Sequence, residues 1–136
     1  EARSFYEQSL SHFKSLANAA PANGRAQRDW AWSRYYLAYL ESGGGDEPRG
    51  RAELKAGAEL LLQYLVRNPE DADARKDLPL YIEQVVGLEP YLGGPPLVST
   101  TIARCRELLQ PVLAQRPNDE LLAVVLKTIV ELPKQN

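Results

Sequence analysis

Ala20-Pro21-Ala22-Asn23-Gly24-Arg25-Ala26-Gln27-Arg28-Asp29-Trp30 is echoed by Asn68-Pro69-Glu70-Asp71-Ala72-Asp73-Ala74-Arg75-Lys76-Asp77-Leu78, with the two prolines 48 residues apart. The same step lands on Pro117, in Arg116-Pro117-Asn118-Asp119-Glu120. The residues around the prolines keep this register. Twelve before each stand the small residues Ser9, Gly57 and Cys105, and eight before stand Phe13, Leu61 and Leu109. Nine after stand Trp30, Leu78 and Leu126. A small side chain recurring at one helical position lets backbones approach, and a large apolar one recurring at another fills the space between layers. The chain reads as an internal repeat.

Each segment before a proline carries one apolar stripe at helical spacing: Tyr6, Leu10, Phe13 and Ala17; then Leu54, Ala58, Leu61 and Leu65; then Ile102, Cys105, Leu109 and Val112. Each segment after a proline opens a second helix, with Asn23, Asp71 or Asn118 as its N-cap. Six helices are predicted, over 2–19, 24–42, 50–67, 71–87, 97–115 and 118–133, stacked as antiparallel hairpins in a single all-α domain spanning 1–136. Gly43-Gly44-Gly45-Asp46-Glu47-Pro48 and Gly93-Gly94-Pro95-Pro96 are the strong breakers in the two linkers. Pro111 should kink or interrupt the fifth helix.

This pattern resembles the tetratricopeptide repeat, in which a proline closes the second helix of each pair. Ser9/Phe13/Pro21, Gly57/Leu61/Pro69 and Cys105/Leu109/Pro117 match the family's second-helix signature, and Trp30, Leu78 and Leu126 match its first-helix leucine. The next position is small in the family; Ala31 complies, whereas Pro79 and Lys127 do not. The period of 48 exceeds the family's usual spacing of about 34 and looks like a long-period variant found on some bacterial signalling proteins, including serine/threonine kinases. The resemblance implies an α-solenoid scaffold for protein binding, with the first helix of each pair lining a groove.

Composition narrows the function. With 44% hydrophobic and 25% charged residues the chain can bury a core, and a net charge of -2 gives no electrostatic case for nucleic acid. No apolar run approaches the length of a membrane span. The one cysteine excludes an internal disulfide and fits a reducing, cytoplasmic setting. The sequence opens at Glu1 and holds no methionine, so a piece of a larger protein is expected. His12 and Cys105, alone of their types, leave no partners for a metal site or a Cys–His pair. Gly43-Gly44-Gly45 lacks the Lys and Ser/Thr of a phosphate loop. No catalytic residue, metal or cofactor is expected.

The second helix is the most informative. At 100° per residue, Ala26, Trp30, Ser33 and Leu37 point one way, while Arg25, Arg28, Trp32, Tyr35, Tyr36 and Tyr39 point the other. The resemblance puts Arg25, Arg28, Trp32 and Tyr35 in the groove, with Asp73, Lys76, Leu80 and Glu83 as their equivalents in the next repeat. Rings bury area at low entropic loss and arginine forks onto carboxylates, so a peptide bearing a carboxylate is the expected partner. The alternative is that the aromatic stripe is core. Leu121 and Val124 lie opposite the core face of the last helix, where a terminal helix should be polar. They suggest either further repeats or an oligomer interface. Two other functions fit the same residues: a regulatory domain in which a small ligand controls an attached signalling domain, or a module for homo-oligomerisation.

Overall fold

The computed structural model describes residues 1–135 and is all helical, with no strand among them. Six α-helices follow in order: α1 (Ala2–Ala19), α2 (Gly24–Glu41), α3 (Glu47–Arg67), α4 (Ala72–Leu88), α5 (Val98–Gln115) and α6 (Glu120–Glu131). Short 3-10 turns follow α4 (Glu89–Tyr91) and α6 (Leu132–Gln135). Consecutive helices pack together, α2 against α3 most extensively, and helices two apart also meet: α2 with α4, α3 with α5, and α4 with α6. The result is two rows, α1/α3/α5 and α2/α4/α6, in a repeat-like stack.

Local chemistry explains the ends. Asn23 and Asp71 cap as expected, their side chains accepting from the backbone N–H groups of Ala26 at 3.2 Å and Ala74 at 3.0 Å. The third cap is Asp119, which accepts from the Leu122 N–H at 3.1 Å, so α6 starts two residues later than expected. Conversely, α3 starts three residues earlier. Asp46 caps it by accepting from the Arg49 N–H at 3.1 Å, and Pro48 sits in the first turn, where its missing N–H leaves no helical bond unmade. Pro111 does not break α5, nor Pro79 α4. The Pro111 ring is exposed, and its partner carbonyl on exposed Glu107 can be solvated. The break expected at 43–49 shrinks to the turn holding Gly43 and Gly44, whose φ values of 69° and 110° only glycine adopts without strain.

The recurring apolar positions differ in burial. Leu61, Leu109, Leu78 and Leu126 are buried in one core that runs from α2 to α6, while Phe13 and Trp30 are half-buried. Among the recurring small positions, Gly57 is the clearest case. A Cβ there would collide with the Tyr81 hydroxyl and come within 3.0 Å of the Ala31 carbonyl. The glycine thus lets α2, α3 and α4 meet at one point. Tyr81 is fully buried and donates its hydroxyl to the Leu54 carbonyl at 2.9 Å.

Candidate binding face across alternate helices

Two cross-helix bonds set the relation of α2 to α4. Arg28 Nη2 donates to Asp77 Oδ1 at 3.3 Å, with Nε also against the same carboxylate, and Tyr35 Oη donates to Gln84 Oε1 at 3.1 Å. Both bonds join residues 49 apart, in the same order along each helix, so α2 and α4 run parallel and nearly in repeat register. Two clefts lie between them. One, of about 610 Å³, is bounded by Arg25, Arg28, Asp29, Trp32, Tyr64 and Asp73, among others. The other, of about 530 Å³, lies nearer the helix C-termini, between Tyr35, Tyr39 and Tyr91.

The aromatic stripe of α2 divides between surface and interior. Ala26, Ser33 and Leu37 are buried on the expected core side; Trp30 is half-buried, with the Arg34 guanidinium 4.6 Å above its ring. Opposite them Arg25, Tyr36 and Tyr39 are exposed. Trp32 and Tyr35 are half-buried and lean toward α4. The Trp32 ring centre lies 5.2 Å from Tyr81 and 5.5 Å from Tyr35. Tyr36 leans the other way and stacks on Tyr6 of α1 at 5.8 Å. On α4, Lys76, Leu80 and Glu83 are exposed on one stripe with Asp73.

Charge differs from the expectation of two arginines open to an anionic partner. Asp77 is buried, and its carboxylate engages Arg28. Burial raises the Asp77 pKa above its ordinary value of 3.8, with Arg28 opposing the rise. Arg25 makes no ion pair among the described residues, and the same holds for the cleft acids Asp29 and Asp73. Acids therefore outnumber free cations at this end. Burial also raises the Tyr35 pKa, with smaller contributions from Tyr36 and Tyr39.

Leu121 and Val124 take on a different meaning in this geometry. They stand 48 residues after Asp73 and Lys76, which stand 48 after Arg25 and Arg28. On each helix of the α2/α4/α6 row they occupy the same place. Eight large hydrophobic residues are exposed among the described residues, and Tyr36, Tyr39, Leu80, Leu121 and Val124 all belong to this row, at 47% to 71% exposure. Tyr91 borders the same row at the end of α4, leaving only Phe5 and Leu16 on α1 elsewhere.

Sequence reasoning passed over Asp77, Gln84, Gly87 and Tyr91. Tyr91 fell in a linker, and Asp77 carried no mark separating it from a solvent-facing acid. His12 is exposed, and Cys105 is buried with its thiol pushed up to about 12 by burial. Among the described residues no cluster of His, Cys, Asp and Glu could hold a metal, and no helix is long and apolar enough to cross a membrane. No family model, curated protein or solved structure matches this chain.

Proposed function

We propose that the chain is a non-catalytic protein-interaction module that holds a segment of a partner protein across α2, α4 and α6. The carrying observation is the clustering of exposed apolar residues. A scattered apolar surface needs no explanation, but Tyr36, Tyr39, Leu80, Leu121 and Val124 all lie on the helices of one row. A partner segment laid across that row would cover them together. Arg25, Lys76 and Glu83 would select its polar residues from the rim, and the Trp32 and Tyr35 rings would form its floor. Attachment to a signalling protein, as the repeat resemblance implies, would give such a module its cellular use.

The reading is tested with a random-peptide display library selected on the immobilised chain, followed by calorimetric titration of the recovered peptides. Leu80→Glu and Val124→Glu alter exposed positions and should change stability by less than about 0.5 kcal/mol. Each should weaken peptide binding about tenfold or more through desolvation of an added charge. Peptides that bind both variants like the parent chain would sink the proposal. Pairing of two copies through Leu121 and Val124 is a second reading, favoured by their large exposure. Sedimentation equilibrium giving a mass near 15.2 kDa at high concentration would exclude it.

A further inference from the structure

The cleft at the C-terminal end of the face differs from its surroundings. It is an open cleft of about 530 Å³ lined by Tyr35, Tyr39 and Tyr91 together with Ser42, Gln84 and Leu88, and its lining carries no charged side chain. Gly87 opens its floor, since a methyl group there would meet nothing within 4 Å. One ring, that of Tyr35, is held by its side chain before any ligand arrives, and the backbone that carries the Tyr91 ring is tied down as well. Tyr35 is tied to Gln84 by its hydroxyl, and the Tyr91 carbonyl accepts from the Gly43 N–H at 2.9 Å. Leu92, next to Tyr91, is buried close under Gly50, where a Cβ would come within 2.9 Å of Leu92 Cδ2.

The electrostatics of this end favour one sign of charge. Aromatic faces attract cations through their quadrupole. The helices α2 and α4 both finish here, at Glu41 and Leu88, so their negative dipole ends lie on the same side of the face. Glu83, one turn before Gly87 on the exposed stripe of α4, makes no ion pair among the described residues. Rings, dipoles and a free carboxylate all act in the same direction.

We propose that the cleft between Tyr35, Tyr39 and Tyr91 is a cation site that receives the ammonium or guanidinium group of a lysine or arginine on the partner segment. The inference rests on the partner-binding reading above and adds the chemistry of one anchor. It replaces the carboxylate-bearing partner expected from the two arginines with a basic one. The cation sits among the three rings, with its alkyl stem lying along the apolar row toward Leu80. Glu83 balances its charge from the rim.

The test is a nuclear magnetic resonance titration of the whole chain with Nα-acetyl-lysine amide, Nα-acetyl-arginine amide, their neutral counterpart Nα-acetyl-norleucine amide, and tetramethylammonium. The lysine and arginine probes should give saturable shifts at the amides of Tyr39, Gly87 and Tyr91, with the norleucine probe binding at least about fivefold more weakly. Tyr39→Ala and Tyr91→Ala, both at exposed rings, should each weaken the cationic probes about two- to fivefold, while Tyr39→Phe and Tyr91→Phe keep the affinity. Equal binding of the norleucine probe would overturn the proposal, as would alanine variants that bind like the parent. Tetramethylammonium binding far more tightly than either side-chain probe would assign the cleft to a free quaternary ammonium and overturn it too. Display-selected peptides that lose binding with Leu80→Glu yet ignore all these changes would overturn the cation site alone. A Leu80→Glu variant that binds those peptides normally would instead remove the partner-binding reading.

Discussion

Gly57 and Gly87 are both helical glycines, and the structure gives them opposite roles. At Gly57 the missing side chain makes room for the Tyr81 hydroxyl and its bond to the Leu54 carbonyl. Gly57→Leu should therefore destabilise by about 1–3 kcal/mol or more through overpacking, measured by urea denaturation. Gly87 has open space where a Cβ would stand and no positive φ, so Gly87→Ala should stabilise by about 0.5–1 kcal/mol through helix propensity alone. Equal effects at the two sites would contradict the packing described. Gly57 was readable from sequence because its register with Ser9 and Cys105 marked a small-residue position. Gly87 was not, because an empty space beside a residue leaves no trace in its type. Trp32 also resisted reading. Its stripe separated it from the core residues of its own helix, but Tyr81 of α4 reaches across to half-bury it.

Between elements, the bond of Arg28 to Asp77 decides how α2 sits on α4, and its pH dependence can be worked out. A carboxyl whose folded pKa is raised contributes stability below its unfolded value, near 3.8 for Asp77, and loses it as pH rises through the folded value. Arg28 limits that rise. In Arg28→Ala the Asp77 carboxyl should move further up, leaving a buried charge without its partner at neutral pH. We expect a loss of about 1–3 kcal/mol at pH 7, after allowing for the partial exposure of Arg28, and a smaller deficit relative to the parent at pH 5. A deficit that grows on acidification, followed by denaturation at both pH values, would show that Arg28 acts on some other group. The helices themselves were largely visible in the sequence, because stripes, caps and glycines are local signals. The first turn of α3 was missed because Glu47-Pro48 reads as linker until Asp46 is seen to cap it. The bond of Arg28 to Asp77 was missed because nothing in one chain ties residues 49 apart.

For the molecule as a stack, stability should be unequal along its length, since each helix leans only on its neighbours. The helix α1 contributes one buried residue, Ala17, whereas α3 contributes eight. Its attachment draws on the stacking of Tyr6 on Tyr36, on Gln27 Nε2 donating to the Ala17 carbonyl at 3.3 Å, and on a polar latch. In the latch, buried Glu41 accepts from Arg3 Nη2 at 2.5 Å and from the Asp46 N–H at 3.3 Å. Arg49, 3.9 Å from Glu41, also donates to Glu7 at 2.7 Å. Native-state hydrogen exchange should therefore find the α1 amides opening first, with α3 and α4 the most protected. The two sides of the latch should respond differently to mutation. Arg3→Ala leaves the Glu41 carboxylate buried with only the Asp46 N–H and a distant arginine, so the α1 amides should exchange measurably faster than in the parent chain. Glu41→Gln removes the buried charge and keeps the shape, while half-exposed Arg3 turns to water, so its effect should stay below about 1 kcal/mol. The double variant should resemble Glu41→Gln alone, because the charge that Arg3 compensates is gone. If Arg3→Ala instead leaves α1 exchange unchanged, the latch contributes nothing and stacking with backbone contacts holds the helix. If the two single effects simply add, Arg3 and Glu41 act independently and the ion pair is not what couples α1 to the stack.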